Sequence, residues 1–158
     1  MANLDTNTPR TFQGDRLPGS VRALPASANT KYYQGAAVMK DASTGALISC
    51  TPTASGKFAG FVEESKDNST GSPYGGTAGS TTVDVCTEGL VWLTVAKAAN
   101  FARGDEDTVY ASDDNTFTVA AGSNNIVVGK IVLVPEAAIG AASGVVLVKF
   151  QSSSDRSI

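Results

Sequence analysis

Counted by twos, residues 81–95 (TTVDVCTEGLVWLTV) put Val83, Val85, Thr87, Gly89, Val91, Leu93 and Val95 on one parity. Asp84, Cys86, Glu88, Leu90, Trp92 and Thr94 fall on the other. A period of two over this length, rich in β-branched residues, predicts a strand or two strands nearly in line. Gly89 is the expected bend, because a glycine inside a strand marks a bulge or a change of direction. Before Gly89 one face is apolar, and after it both are. Residues 90–95 are therefore expected to be covered on both sides, by the chain's own sheet or by a neighbouring subunit. The stretch holds the only tryptophan, Trp92, and reads as the central strand of an all-β core.

Around it the pattern continues in short β-type runs. Residues 32–40 (YYQGAAVMK) read as a strand, 41–45 as a turn, 46–51 as the returning strand and 58–63 as the next, with Gly60 inside it. Residues 65–80 (SKDNSTGSPYGGTAGS) have no apolar period, and a connection of that length is either functional or mobile. Tyr74 is its one large side chain, a contact point or a mobile tip. Residues 96–101 (AKAANF) are expected to form one helical turn, ended by Arg103-Gly104. A strand at 108–111, a turn, a partner at 116–120 and two strong strands at 126–134 and 144–151 complete the body.

Two stretches echo each other. Val38-Met39, a turn to Gly45, Ala46–Ile48 and then Ala59-Gly60-Phe61-Val62 match Val109-Tyr110, a turn to Asn115, Thr116–Thr118 and Val128-Gly129-Lys130-Ile131. The expected fold is a small β-sandwich or barrel of two similar hairpin-plus-strand units, with the central strand between the copies.

Residues 1–30 differ from the rest. Pro9, Gly14, Pro18, Gly19 and Pro25 break any period, while Leu4, Phe12, Leu17, Val21 and Leu24 are dispersed apolar points. A solvated tail has little use for such residues. An extended arm laid along a partner does, because each docked anchor gains about 1.5–3 kcal/mol. Ordering costs about 1–2 kcal/mol per residue, so several anchors must engage together. The division read from the sequence is thus an extended arm over 1–30, a β-domain over 31–151 and a polar tail over 152–158.

Composition removes whole classes of function. The 158 residues carry a net charge of −3 with 17% charged residues, which leaves no footprint for nucleic acid or an anionic membrane. No run approaches the ~18 apolar residues of a membrane span. The N-terminus lacks the basic-then-apolar order of a secretory signal, so synthesis in a cytoplasm is expected. Cys50 and Cys86 both fall in apparent strands and read as two buried thiols or one disulfide. There is no histidine, which removes Ser-His-Asp and Cys-His catalysis and most zinc sites. The runs Asp105-Glu106-Asp107 and Asp113-Asp114-Asn115 lack the alternation and distal glutamate of a calcium loop and suit turns. No phosphate-binding glycine motif is present. No cofactor, metal or catalytic residue is expected.

The order of motifs resembles the capsid decoration, or cement, proteins of tailed bacteriophages. The resemblance is carried by YYQGAAVMKDASTGALI, FAGFVEES, VDVCTEGLVWLTVAKAANFARGD, VYASDDNTFTV, VVGKIVLV and GVVLVKF, and it covers residues 32–150. It implies a non-enzymatic virion protein that binds the outer face of the head across capsomer junctions and stabilises the mature shell. The partners it implies are the major capsid protein and further copies of the chain, as a dimer or trimer. The expected contact residues are Leu4, Phe12, Leu17, Val21, Leu24, Tyr74, Leu90 and Trp92. Another virion β-module (tail or head fibre) and a carbohydrate-binding sandwich are the competing readings. The latter is disfavoured by the single Trp, placed in the core strand, and by only four Tyr.

Overall fold

Short β-branched and aromatic runs separated by glycine turns give thirteen strands and no helix among the residues described by the computed structural model, which are 4–14, 20–52, 56–122 and 125–153. Eleven of these strands make one six-stranded and one five-stranded sheet, each of which curls back on itself.

The second half of the chain supplies β9 (Glu88–Ala96), β10 (Thr108–Ala111), β11 (Phe117–Thr118), β12 (Ile126–Leu133) and β13 (Ser143–Gln151). They run β9-β11-β10-β12-β13, and β13 pairs back along all of β9, which closes a barrel. The first half supplies β2 (Val21–Pro25), β4 (Ala37–Lys40), β5 (Leu47–Ser49), β6 (Lys57–Val62) and β8 (Thr82–Cys86), in the order β2-β8-β6-β4-β5. A parallel bridge from Ala26 to Leu47 brings its two ends together.

The two barrels share topology and register. Val38 pairs with Gly60 and Val109 with Gly129, and each pair is followed by a register shift. Lys40 meets Leu47 as Ala111 meets Phe117. Val62 meets Val85 as Ile131 meets Val148. Leu24 meets Val83 as Leu93 meets Val146. The bridge from Ala26 to Leu47 has its counterpart in the parallel pair Val95–Phe117. The two glycines face the same constraint. A Cβ on Gly60 would lie 2.1 Å from the Cys86 carbonyl oxygen, and one on Gly129 would lie 1.9 Å from that of Lys149. Both positions need a bare backbone where a neighbouring strand comes close.

The first barrel has its own interior, built from Val38, Leu47, Ala59, Val62, Val83 and Val85. Tyr32 enters this interior and donates its hydroxyl to the Leu47 carbonyl at 2.6 Å. A larger core joins the two barrels. Phe58 and Phe61 of β6 meet Phe150 of β13 edge-on, with centroids 6.4 and 5.0 Å apart, and Phe61 also meets Phe117 at 6.0 Å. Each such pair adds about 0.5–1.5 kcal/mol beyond the area it buries.

Several expectations change. Residues 81–95 are not one central strand between two copies; β8 ends the first unit and β9 begins the second. The break is at Thr87, not at Gly89: Thr87 is buried, its N–H and hydroxyl both reach the Ser20 carbonyl, and its own carbonyl accepts Ser152 N–H. Within this chain, residues 90–95 bury Val91, Leu93 and Val95, leave Leu90 and Trp92 half-buried and expose Thr94, so the chain's own sheet does not supply the second cover. The helical turn at 96–101 is absent, because Lys97 N–H and Phe101 N–H donate to the carbonyls of Ala142 and Ala141 instead of closing a local turn. Residues 32–40 hold a turn at Gly35 (φ 87°), so Tyr32 belongs to β3 (Thr30–Tyr32) and only the last four residues form β4. The loop at 65–80 contains β7 (Lys66–Asn68), which pairs with β3. Buried Asn68 ties that loop down by donating to the Ser27 and Thr77 carbonyls and accepting from Ser80 Oγ.

Candidate contact surface

The N-terminal stretch folds against its own barrels. β1 (Thr11–Phe12) lies antiparallel to β9 beside Val91 and Trp92. Thr8 N–H donates to the Gln34 carbonyl and Gln34 N–H to Asn7 Oδ1. Gly35 leaves room for this stretch, because a Cβ there would sit 1.7 Å from the Thr8 oxygen.

Arg10 is the centre of the attachment. Its Nε donates to the Gly35 carbonyl at 2.7 Å and its Nη2 to Asn115 Oδ1 at 2.8 Å. The guanidinium stands over Phe61 of the first barrel at 5.6 Å and over Phe117 of the second at 5.2 Å. Burial lowers its pKa to about 10, partly offset by Asp114 nearby. Asp114 is itself pushed up, mainly by burial, and its Oδ1 accepts Leu4 N–H. One cation thus pins both barrels and the arm. Nothing in the sequence singles it out, since no local pattern marks a tertiary stack.

The eight expected contact residues divide by position. Leu4 and Leu24 pack against the interior of the first barrel, and Phe12 packs against the shared core, 6.0 Å from Phe150. Leu17 lies outside the described residues. Val21 and Tyr74 are exposed on the first half of the molecule, with Lys66 Nζ 4.8 Å from the Tyr74 ring. Leu90 and Trp92 face outward from the second barrel.

That outward face is where apolar side chains collect. Register puts Thr94 beside Val145, Trp92 beside Leu147 and Leu90 beside Lys149, and Leu147 in turn beside Leu133 of β12. Paired residues share a face, so Leu90, Trp92, Val145 and Leu133 form one outer patch around Leu147, which is itself buried at 7% exposure. Val145 and Leu133 are about half exposed, at 50% and 49%, and Val132 at the β12 register shift is 46% exposed. Trp92 Nε1–H donates to Gln13 Oε1 at 3.2 Å, which ties the ring to the arm. Val132, Leu133 and Val145 could not be picked out by sequence reading, because strands 126–134 and 144–151 are apolar on both parities.

Little here suits covalent chemistry. The Asp105 and Asp107 carboxylates converge on Lys97 Nζ at 2.7 and 2.8 Å. Asp113 accepts from Asn115 N–H and Thr116 Oγ. Among the described residues no group of three His, Cys, Asp or Glu could hold a metal ion. Cys50 and Cys86 are buried cysteines that form no disulfide, and burial beside Asp114 and Asp113 pushes the Cys50 thiol far up. No helix of the described residues is long and apolar enough to cross a membrane.

Residues 3–151 match the family model of the phage structural cement protein (E217 gp24/Pam3 gp6). The chain belongs to that family. It is a structural protein of a phage capsid, and the match spans the arm and both barrels. No individual curated protein matches the chain.

Proposed function

We propose that this cement protein binds the outer surface of the assembled head across junctions between capsid subunits and stabilises the mature shell, without catalysing a reaction. The observation that carries the reading is the outward apolar patch of Leu90, Trp92, Val145 and Leu133, set around buried Leu147 on a closed barrel. Exposed apolar surface gathered on one face marks a protein contact. A preformed contact face loses little entropy on docking. Trp92 supplies the aromatic anchor, and Val21 and Tyr74 give further points on the other barrel.

The partner in this reading is the major capsid protein, with the chain itself present as a dimer or trimer. A rigid unit that touches several subunits gains through effective concentration, so modest contacts add up to firm attachment. Binding the mature shell in preference to its precursor shifts that equilibrium by mass action.

The test is pelleting of the pure protein with purified shells, wild type against Leu90→Ser/Val145→Ser. Val145 is half exposed and Leu90 half-buried, so a melting curve of the variant is recorded beside the pelleting to show that the fold survives. Loss of two apolar contacts at the centre of an interface weakens binding by about tenfold or more. Equal pelleting of the variant would remove this face from the account, and failure of the wild type to pellet would remove the shell.

A further inference from the structure

The shared register makes the edges of the two barrels comparable, and they differ at one place. On β9 the backbone groups of even-numbered residues point away from β13. Gln13 N–H donates to the Leu90 carbonyl at 2.9 Å and Val119 N–H to that of Ala96 at 3.1 Å. That outer edge is occupied twice, by β1 opposite Val91 and Trp92 and by β11 opposite Val95 and Ala96.

On β2 the alternation turns the backbone groups of Arg22, Leu24 and Ala26 toward β8. Ala26 N–H donates to the Thr81 carbonyl, and the Ala26 carbonyl accepts Gly79 N–H. Those of Val21 and Ala23 therefore point to the opposite edge. Through the matched pairs, Val21 and Ala23 stand where Leu90 and Trp92 stand in the second barrel. The β11 half of the edge has its match in the Ala26–Leu47 bridge. Among the described residues, no strand takes the place of β1. Both residues are exposed there, Val21 at 42%.

We infer that the open edge of β2 at Val21–Ala23 is a docking seat for a short extended segment of the shell protein, added antiparallel to β2 as β1 is added to β9. The inference rests on the reading that the chain binds shells. Backbone pairing supplies the attachment, as in other strand-addition complexes. Two observations favour a foreign segment over a second copy. Among the described residues each chain has two such seats but one β1-type segment, which its own β9 already holds, so that segment of an identical copy is not free to fill the second seat. Direct β2–β2 pairing centred on Ala23 would set Pro25, which has no N–H, opposite Val21; proline at an edge blocks self-pairing. A segment of two or three residues centred on Ala23 needs no donor from Pro25.

The experiment is amide hydrogen exchange of the full chain, free and bound to purified shells, read at Ala23, with pelleting of Ala23→Pro and Ala23→Val beside it. Proline removes the outward donor and no bond to β8, whereas valine keeps the donor. Shell binding should slow Ala23 exchange about tenfold or more. Ala23→Pro should pellet at least about tenfold more weakly at an unchanged melting temperature, and Ala23→Val like wild type. Unchanged Ala23 exchange in shell-bound wild type, or undiminished pelleting of Ala23→Pro, overturns the seat while leaving shell binding intact. Protection that grows with protein concentration in the absence of shells overturns the foreign occupant in favour of a second copy. If wild type does not pellet at all, the functional reading and the inference fall together.

Discussion

Replacing Arg10 by alanine tests whether the arm and both barrels are held by one side chain. The change removes two charge-assisted hydrogen bonds, to the Gly35 carbonyl and Asn115 Oδ1, each contributing about 1.5–3 kcal/mol. It also removes the stacking on Phe61 and Phe117, about 0.5–2 kcal/mol for each ring. Against this stands the cost of burying the guanidinium. The fall in its pKa from 12.5 to about 10 corresponds to roughly 3 kcal/mol. The difference, taken at the middle of these ranges, is a destabilisation of about 4 kcal/mol, which for a chain of this length lowers the melting temperature by about 8–16 °C. Arg10→Lys should recover little, because an ammonium cannot hold both acceptors and lie flat between two rings. Calorimetry of the three proteins at neutral pH reads this directly. An Arg10→Ala melting temperature within about 2 °C of wild type would refute the staple.

Three further outcomes are expected. Gly129→Ala and Gly60→Ala should each destabilise by at least about 2 kcal/mol in urea unfolding, since the new methyl meets a backbone oxygen of the adjacent strand that cannot yield; a mild effect at either site would mean that the close approach is wrong. The Asp105 pKa is lowered, first by the Ala102 N–H and then by Lys97, so its contribution is present above the ordinary value of 3.8 and is lost as pH falls through the folded value. Asp105→Asn should therefore flatten the acid side of the stability–pH curve, and an unchanged acid slope would count against the Lys97 cluster. Cys50 and Cys86 should not react with a thiol reagent at pH 8 until denaturant is added, when both should titrate; labelling of native protein would contradict their burial.

How much of this could be read from the residues depends on where each property is stored. A period-two run marked β8 and the start of β9, because strand faces are written in side-chain alternation, and continuous apolar, β-branched runs marked β12 and β13. The duplication was visible in the hairpins and the following strand, where Val38/Val109 and Gly60/Gly129 keep similar residues under similar constraints. It was invisible in β2, where Val21-Arg-Ala-Leu-Pro25 shares only register, not residue type, with its counterpart in β9. Register is a backbone property, and Pro25 made that stretch read as irregular. Thr87 was passed over as the break because a buried threonine looks like any other strand residue; only Ser20 and Ser152 opposite it reveal the change of sheet. Leu90 and Trp92 stand out in the sequence because apolar residues on both parities of a strand call for a second cover, and the structure places both, half-buried, on the outer face. Arg10 was not found, because its meaning lies in four partners distant in sequence.

The central claim is that this cement protein reinforces a shell by lying against it. Calorimetry of purified shells, with and without saturating protein, tests it most directly. The account predicts that the shell's own transition moves up by several degrees and stops moving once a fixed ratio of protein to capsid subunit is reached. A shell transition that stays in place while the protein melts separately at its own temperature would contradict it.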